Sequence, residues 1–110
     1  ITSVNNMNIA CGSKIVVTNA ATSVAVFSFA DLNSIFSASD CDKTNTMCIF
    51  ANGDGSLQSV HIDGATVSGT SWYATFGSTA KSGDMRINYT VIYFGESATS
   101  VLADGDEVSY

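Results

Sequence analysis

His61 and Asp63 stand two positions apart in an alternating stretch, a spacing that puts both side chains on one face of a β-strand. There an imidazole and a carboxylate could hydrogen-bond or share a metal ion. A triad also needs an activated nucleophile, and no motif in the chain marks one, so the pair predicts no catalysis. Metal centres want repeated close Cys or His pairs; one His and three scattered Cys do not supply them, and neither metal nor cofactor is expected. The segment Asn52-Gly53-Asp54-Gly55-Ser56 faintly echoes a calcium loop. It lacks the acidic first position and distant Glu of an EF-hand and reads better as a hairpin turn. Asp104, Asp106 and Glu107 read as a solvated turn, and the glycosylation sequon Asn88-Tyr89-Thr90 falls inside the longest strand and is discounted.

Sugar recognition asks for something else: an exposed aromatic as a platform for the ring, with polar groups around it for the hydroxyls. Tyr73 is the candidate platform, and His61, Asp63 and Arg86 are the candidate polar partners if neighbouring strands bring them together. Tyr73 packed between subunits is the competing reading. The three cysteines, Cys11, Cys41 and Cys48, are an odd number and cannot form a closed disulfide framework. A Cys41–Cys48 bridge is one reading, because the two flank a polar loop. Three reduced thiols, with Cys48 in the core as part of MCIFA, is the preferred one.

The elements that must position these residues are strands. Residues 14–18 and 23–29 read as the first two, joined by a polar turn. In the second, Val24 and Val26 face one way and Ala25, Phe27 and Phe29 the other, so neither face is made for water, which suggests a central strand or a subunit contact. Residues 31–36 have Asp31 as N-cap and helical spacing of Leu32, Ile35 and Phe36, predicting one helical turn that plugs an end of the sheets. A strand over 47–51 is expected to form a hairpin with 57–63 across Asn52–Gly55. There Gln58, Val60 and Ile62 share one face while His61 points away. Asp63-Gly64 is expected to turn again, followed by 65–68 and the strand 71–76, in which Trp72 and Phe76 face the core and Tyr73 the surface. Residues 84–94 make the longest strand, expected at the middle of a sheet with Met85, Ile87, Tyr89, Val91 and Tyr93 on its buried side. Residues 99–102 and 107–110 read as edge strands. Short strands with turn signals between them predict an all-β, antiparallel, jelly-roll-like sandwich.

The chain has 110 residues, 45% hydrophobic, 13% charged and without proline, which is material for one domain, 1–110, with one core. Ten acidic residues against four basic ones give a net charge of −6. Nucleic acid and anionic membrane are therefore not expected partners, since both call for clustered Lys and Arg. No apolar run is long enough for a transmembrane helix, and the amino terminus lacks a signal-peptide layout. A start at Ile1 leaves two readings: a processed mature chain, or a portion of something longer. Few charges and many hydroxyls suggest a small β domain that hides surface against copies of itself.

From His61 onward the order HIDG, a turn, SWYATFG, a Ser/Gly-rich loop and the Arg-containing strand RINYTVIYF resembles the head, or tip, domain of bacteriophage receptor-binding proteins and tail fibres. The resemblance covers somewhat over a third of the chain. It implies a homotrimeric β-sandwich, the C-terminal portion of a longer fibre protein on the virion surface, that recognises a host-surface glycan or protein without catalysis. The tail beyond Phe94 departs from such heads. A second expectation is a structural subunit of an extracellular filament or capsid, with an edge strand completed by a neighbour's segment.

Overall fold

The computed structural model describes residues 8–95. Its elements are β1 (Asn8–Thr18), β2 (Ser23–Ser28), α1 (Phe29–Phe36), β3 (Thr46–Asn52), β4 (Ile62–Ser68), β5 (Ser71–Phe76) and β6 (Gly83–Tyr93). They form two antiparallel three-stranded sheets, ordered β1-β6-β3 and β2-β5-β4. The inner faces share one core, so the architecture is the expected all-β sandwich. The edge strands expected at 99–102 and 107–110 lie outside the described residues.

β6 is the middle strand of its sheet, as its length and alternation imply. Met85, Ile87 and Val91 on its inner face are completely buried. They pack opposite Ala74, Phe76 and Val26 of the second sheet in one cluster. Phe27 meets Tyr89 edge-on at 4.8 Å between ring centroids and lies 6.4 Å from Phe50. Gly12 on β1 is what admits the Tyr89 ring, because a Cβ there would lie 2.6 Å from the phenol oxygen. Trp72 bridges the sheets by donating its indole N–H to Thr46 Oγ1 at 3.0 Å.

Several local expectations change. β2 is an edge strand. Its ladder shifts register between Ala25 and Phe27, a bulge that lets consecutive Val26 and Phe27 both be buried. Alternation read without that extra residue made both faces look apolar. The helix has two turns and its N-cap is Ser28. Asp31 is the other half of a capping box: its N–H donates to Ser28 Oγ and its carboxylate accepts from Ser28 N–H, each at 3.0 Å. Leu32, completely buried, seats the helix against the core.

Asn52–Gly55 does turn the chain, but no hairpin with residues 57–63 forms, because β3 pairs with β6 instead. Asn52 spends its side chain on the crossing, donating from Nδ2 to the carbonyls of Gln58 (2.7 Å) and Val60 (2.9 Å). Asp63-Gly64 is likewise a register shift inside β4, not a turn. The chain reverses at Gly69-Thr70, with Ser68 opposite Ser71 and Gly69 at φ 60°, a conformation that favours glycine.

The Cys41–Cys48 bridge is not formed; all three cysteines are free, Cys11 exposed and the others buried. Burial pushes the Cys48 thiol up to about 12. Cys41 is raised as well, by burial first and then by Asp40 and Asp42.

Two outcomes follow from this packing. Ile87→Ala should cost roughly 2–5 kcal/mol in urea unfolding, and Lys43→Ala, in an exposed loop, less than about 0.5 kcal/mol. A thiol reagent at neutral pH should modify Cys11 alone in the native monomer and all three cysteines once the chain is unfolded; rapid native labelling of Cys48 would contradict its burial.

Candidate functional site

The four residues expected around a sugar do not converge. His61 and Asp63 flank the buried Ile62 and point outward together, with His61 Nε2 at 3.8 Å from Asp63 Oδ1. Their side chains are 82% and 56% exposed, so solvent screens the pair. Tyr73 is half-buried on the outer face of the second sheet, between Ala25 of β2 and Thr66 of β4. Arg86 belongs to β6 in the other sheet and donates to Ser13 Oγ at 2.9 Å. Its separation from His61 follows from the topology: β5 and β6 are consecutive in the chain but lie in different sheets.

What His61 does line is a groove of about 480 Å³ between residues 55–61 and the loop before β6. One wall carries Ser56, Leu57, Ser59 and His61, the other Ser78, Thr79 and Lys81, over a floor of Gln58 and Val60. The alternation read from the sequence survives here without a strand: Gln58, Val60 and Ile62 are buried, while Leu57, Ser59 and His61 are exposed.

Gln58 holds the two walls together. Its Nε2 donates to Thr18 Oγ1 at 2.6 Å and to the Lys81 carbonyl at 3.1 Å, while its Oε1 accepts from Lys81 N–H at 2.9 Å. Thr18 Oγ1 donates in turn to the Lys81 carbonyl. The far ends are pinned by Gly77 N–H to the His61 carbonyl (2.8 Å) and Ala80 N–H to the Ala21 carbonyl (2.9 Å). Just before the groove residues, Asp54 accepts from the Ser56 backbone at 3.0 Å and from Ser56 Oγ at 2.6 Å, and these bonds hold its carboxyl below the ordinary range. Backbone and side-chain bonds thus fix the shape, leaving Ser59, Ser78, Thr79 and Lys81 to present their side chains.

The cations are unequally occupied. Lys14 turns inward, donating to the Val26 carbonyl and sitting 4.6 Å over the Phe27 ring. Arg86 is held by Ser13. The Lys81 ammonium has no hydrogen bond or ion pair among the described residues. Sequence reading passed over Lys81 as loop; the available signal was Gln58, an amide on an otherwise apolar face, which needs a partner across the fold.

A second surface is apolar. On the outer face of the first sheet, register sets Ile9, Ile92 and Met47 in one row and Cys11, Thr90 and Ile49 in the next, with Ile15 and Val17 further along β1. Ile9 is 59% exposed, Ile49 54% and Val17 71%.

Among the described residues no group of three His, Cys, Asp or Glu is placed to hold a metal ion, and no helix is long and apolar enough to cross a membrane. Comparison with protein-family models, with curated proteins and with solved structures finds no match to this chain.

Gln58→Ala should cost about 1–3 kcal/mol, since it strands the Lys81 peptide. Amide exchange at Ala80 and Lys81 should quicken more than at the β6 positions Ile87 and Val91. Uniform quickening would deny Gln58 its special place between the walls.

Proposed function

We propose that this domain is a non-catalytic attachment module, the head of a viral (phage) fibre, that closes into a homotrimer and binds a glycan or protein on the host surface. The observation that carries this reading is the outer face of the β1-β6-β3 sheet. Its exposed Ile, Val and Met side chains leave on the order of 500 Å² of apolar surface open, at the upper end of what a monomer shows to water. A second copy suits it better than a charged partner. The outward positions of β1 and β3 carry no charge, and Asp84 and Arg86, side by side on the same face, offer opposite signs to a copy. The one charge in β1, Lys14, faces inward and guards nothing. Surface hidden in this way accounts for a chain so poor in charge.

One further observation favours the alternative of a filament or capsid subunit: β1 is an eleven-residue strand without proline whose outer edge pairs with no strand among the described residues, as an edge that takes a neighbour's segment would. The two readings part on closure, a discrete oligomer for the head and open-ended growth for the filament.

Ile49→Glu places a carboxylate in the middle of the face without touching the core. The variant should fold with an unchanged circular dichroism spectrum, sediment as a monomer, and lose cell attachment about a hundredfold or more as avidity disappears. Cys11, in the same row, should be protected in the wild-type assembly and exposed in the variant. A variant that keeps the wild-type mass would overturn this use of the face.

A further inference from the structure

We propose that the groove between residues 55–61 and 78–81 is the ligand site, and that its ligand is a carboxylate-bearing sugar such as a uronic acid. The assignment rests on the attachment reading above and names the ligand class. Its volume of about 480 Å³ suits one or two sugar rings. The lining is mixed in the way a sugar needs. Ser59, Ser78 and Thr79 carry hydroxyls, which both donate and accept and so can match either role of a sugar hydroxyl. Leu57, 44% exposed, offers carbon to the apolar side of a ring.

Lys81 supplies the selectivity. It is one of four basic residues in a chain of net charge −6; Lys14 and Arg86 are committed elsewhere, Lys43 lies outside the groove, and the Lys81 ammonium is uncommitted among the described residues. Its backbone is fixed in both directions by Gln58, so the side chain projects from a rigid point and little order remains to be lost on binding. Asp63, beside His61 and against Gly77, and Asp54, tied back to Ser56, both lie outside the lining, so Lys81 is the one Lys or Arg that an anionic group in the groove meets. One ammonium matches the single charge of a carboxylate. A phosphate would call for several cations or converging backbone N–H groups. The lining hydroxyls favour a polyol over an acidic peptide.

The test is an amide-resolved NMR titration of the whole chain with methyl β-D-glucuronide and, separately, methyl β-D-glucoside, which differs in having a hydroxymethyl group where the carboxylate stands. Saturable shifts are expected at Ser59, His61, Ser78, Thr79 and Lys81, with the glucuronide binding about tenfold tighter than the glucoside, the order expected for one charge-assisted contact. Lys81→Met should abolish that preference while leaving the spectrum elsewhere, and the mass, unchanged. Equal affinity for the two glycosides, a preference that survives in Lys81→Met, or no shift along the groove would each overturn the assignment. Shifts centred instead on Thr66 and Tyr73 would overturn it too, while leaving the attachment reading with a different site. Groove binding by a protein that stays monomeric would uphold the site and remove the trimeric head.

Discussion

The inner face of β6 sets the terms for the rest of the molecule. Met85, Ile87 and Val91 can be completely buried only if strands lie on both sides of β6 and a second sheet covers it. β1 and β3 supply the flanks, β2, β5 and β4 the cover, and Leu32 of α1 joins the same core. Burying each such side chain is worth about 1.5–3 kcal/mol, so this strand alone supplies a large part of what a marginal domain has to spare. The same alternation turns Ile92 and Thr90 outward, between Ile9 and Met47 and between Cys11 and Ile49, and so creates an apolar face that nothing in the described chain covers.

A sandwich whose chain changes sheet repeatedly needs crossings that are as well bonded as its strands. Asn52 and Gln58 serve that need with side-chain amides, Asn52 along the crossing and Gln58 across to Thr18 and Lys81. Because Gln58 is buried and its amide is used at both ends, the loop before β6 is held at a fixed distance from residues 55–61. The groove is a by-product of that bracing, which fixes the backbone from which its exposed hydroxyls and ammonium project.

The fold class was legible because period-two alternation over 84–94 and 71–76 has few other structural solutions. The sidedness of Gln58, Val60 and Ile62 against His61 was legible for the same reason, even though pairing in that segment begins only at Ile62. Strand partners were not. Asn-Gly and Asp-Gly mark where a chain bends, and a hairpin and a crossing to another sheet begin with the same bend. Bulges were invisible as well: the register shift at Val26 turns consecutive Val26 and Phe27 into the core, which strict alternation reads as two apolar faces. Grouping Arg86 and Tyr73 with His61 required neighbouring strands to bring them together; long-range packing puts Arg86 in the other sheet, and register sets Tyr73 opposite Thr66, further along β4 from Asp63.

The apolar face and the braced groove lie on different parts of the surface, so a head that trimerised through the one, as proposed, would leave the other open. The most direct test of this account is the molar mass of the wild-type chain by light scattering behind a sizing column over a wide range of concentrations. A discrete trimer that persists on dilution is predicted. A monomer at every concentration would contradict the account, and growth without limit would transfer the apolar face and the β1 edge to a filament.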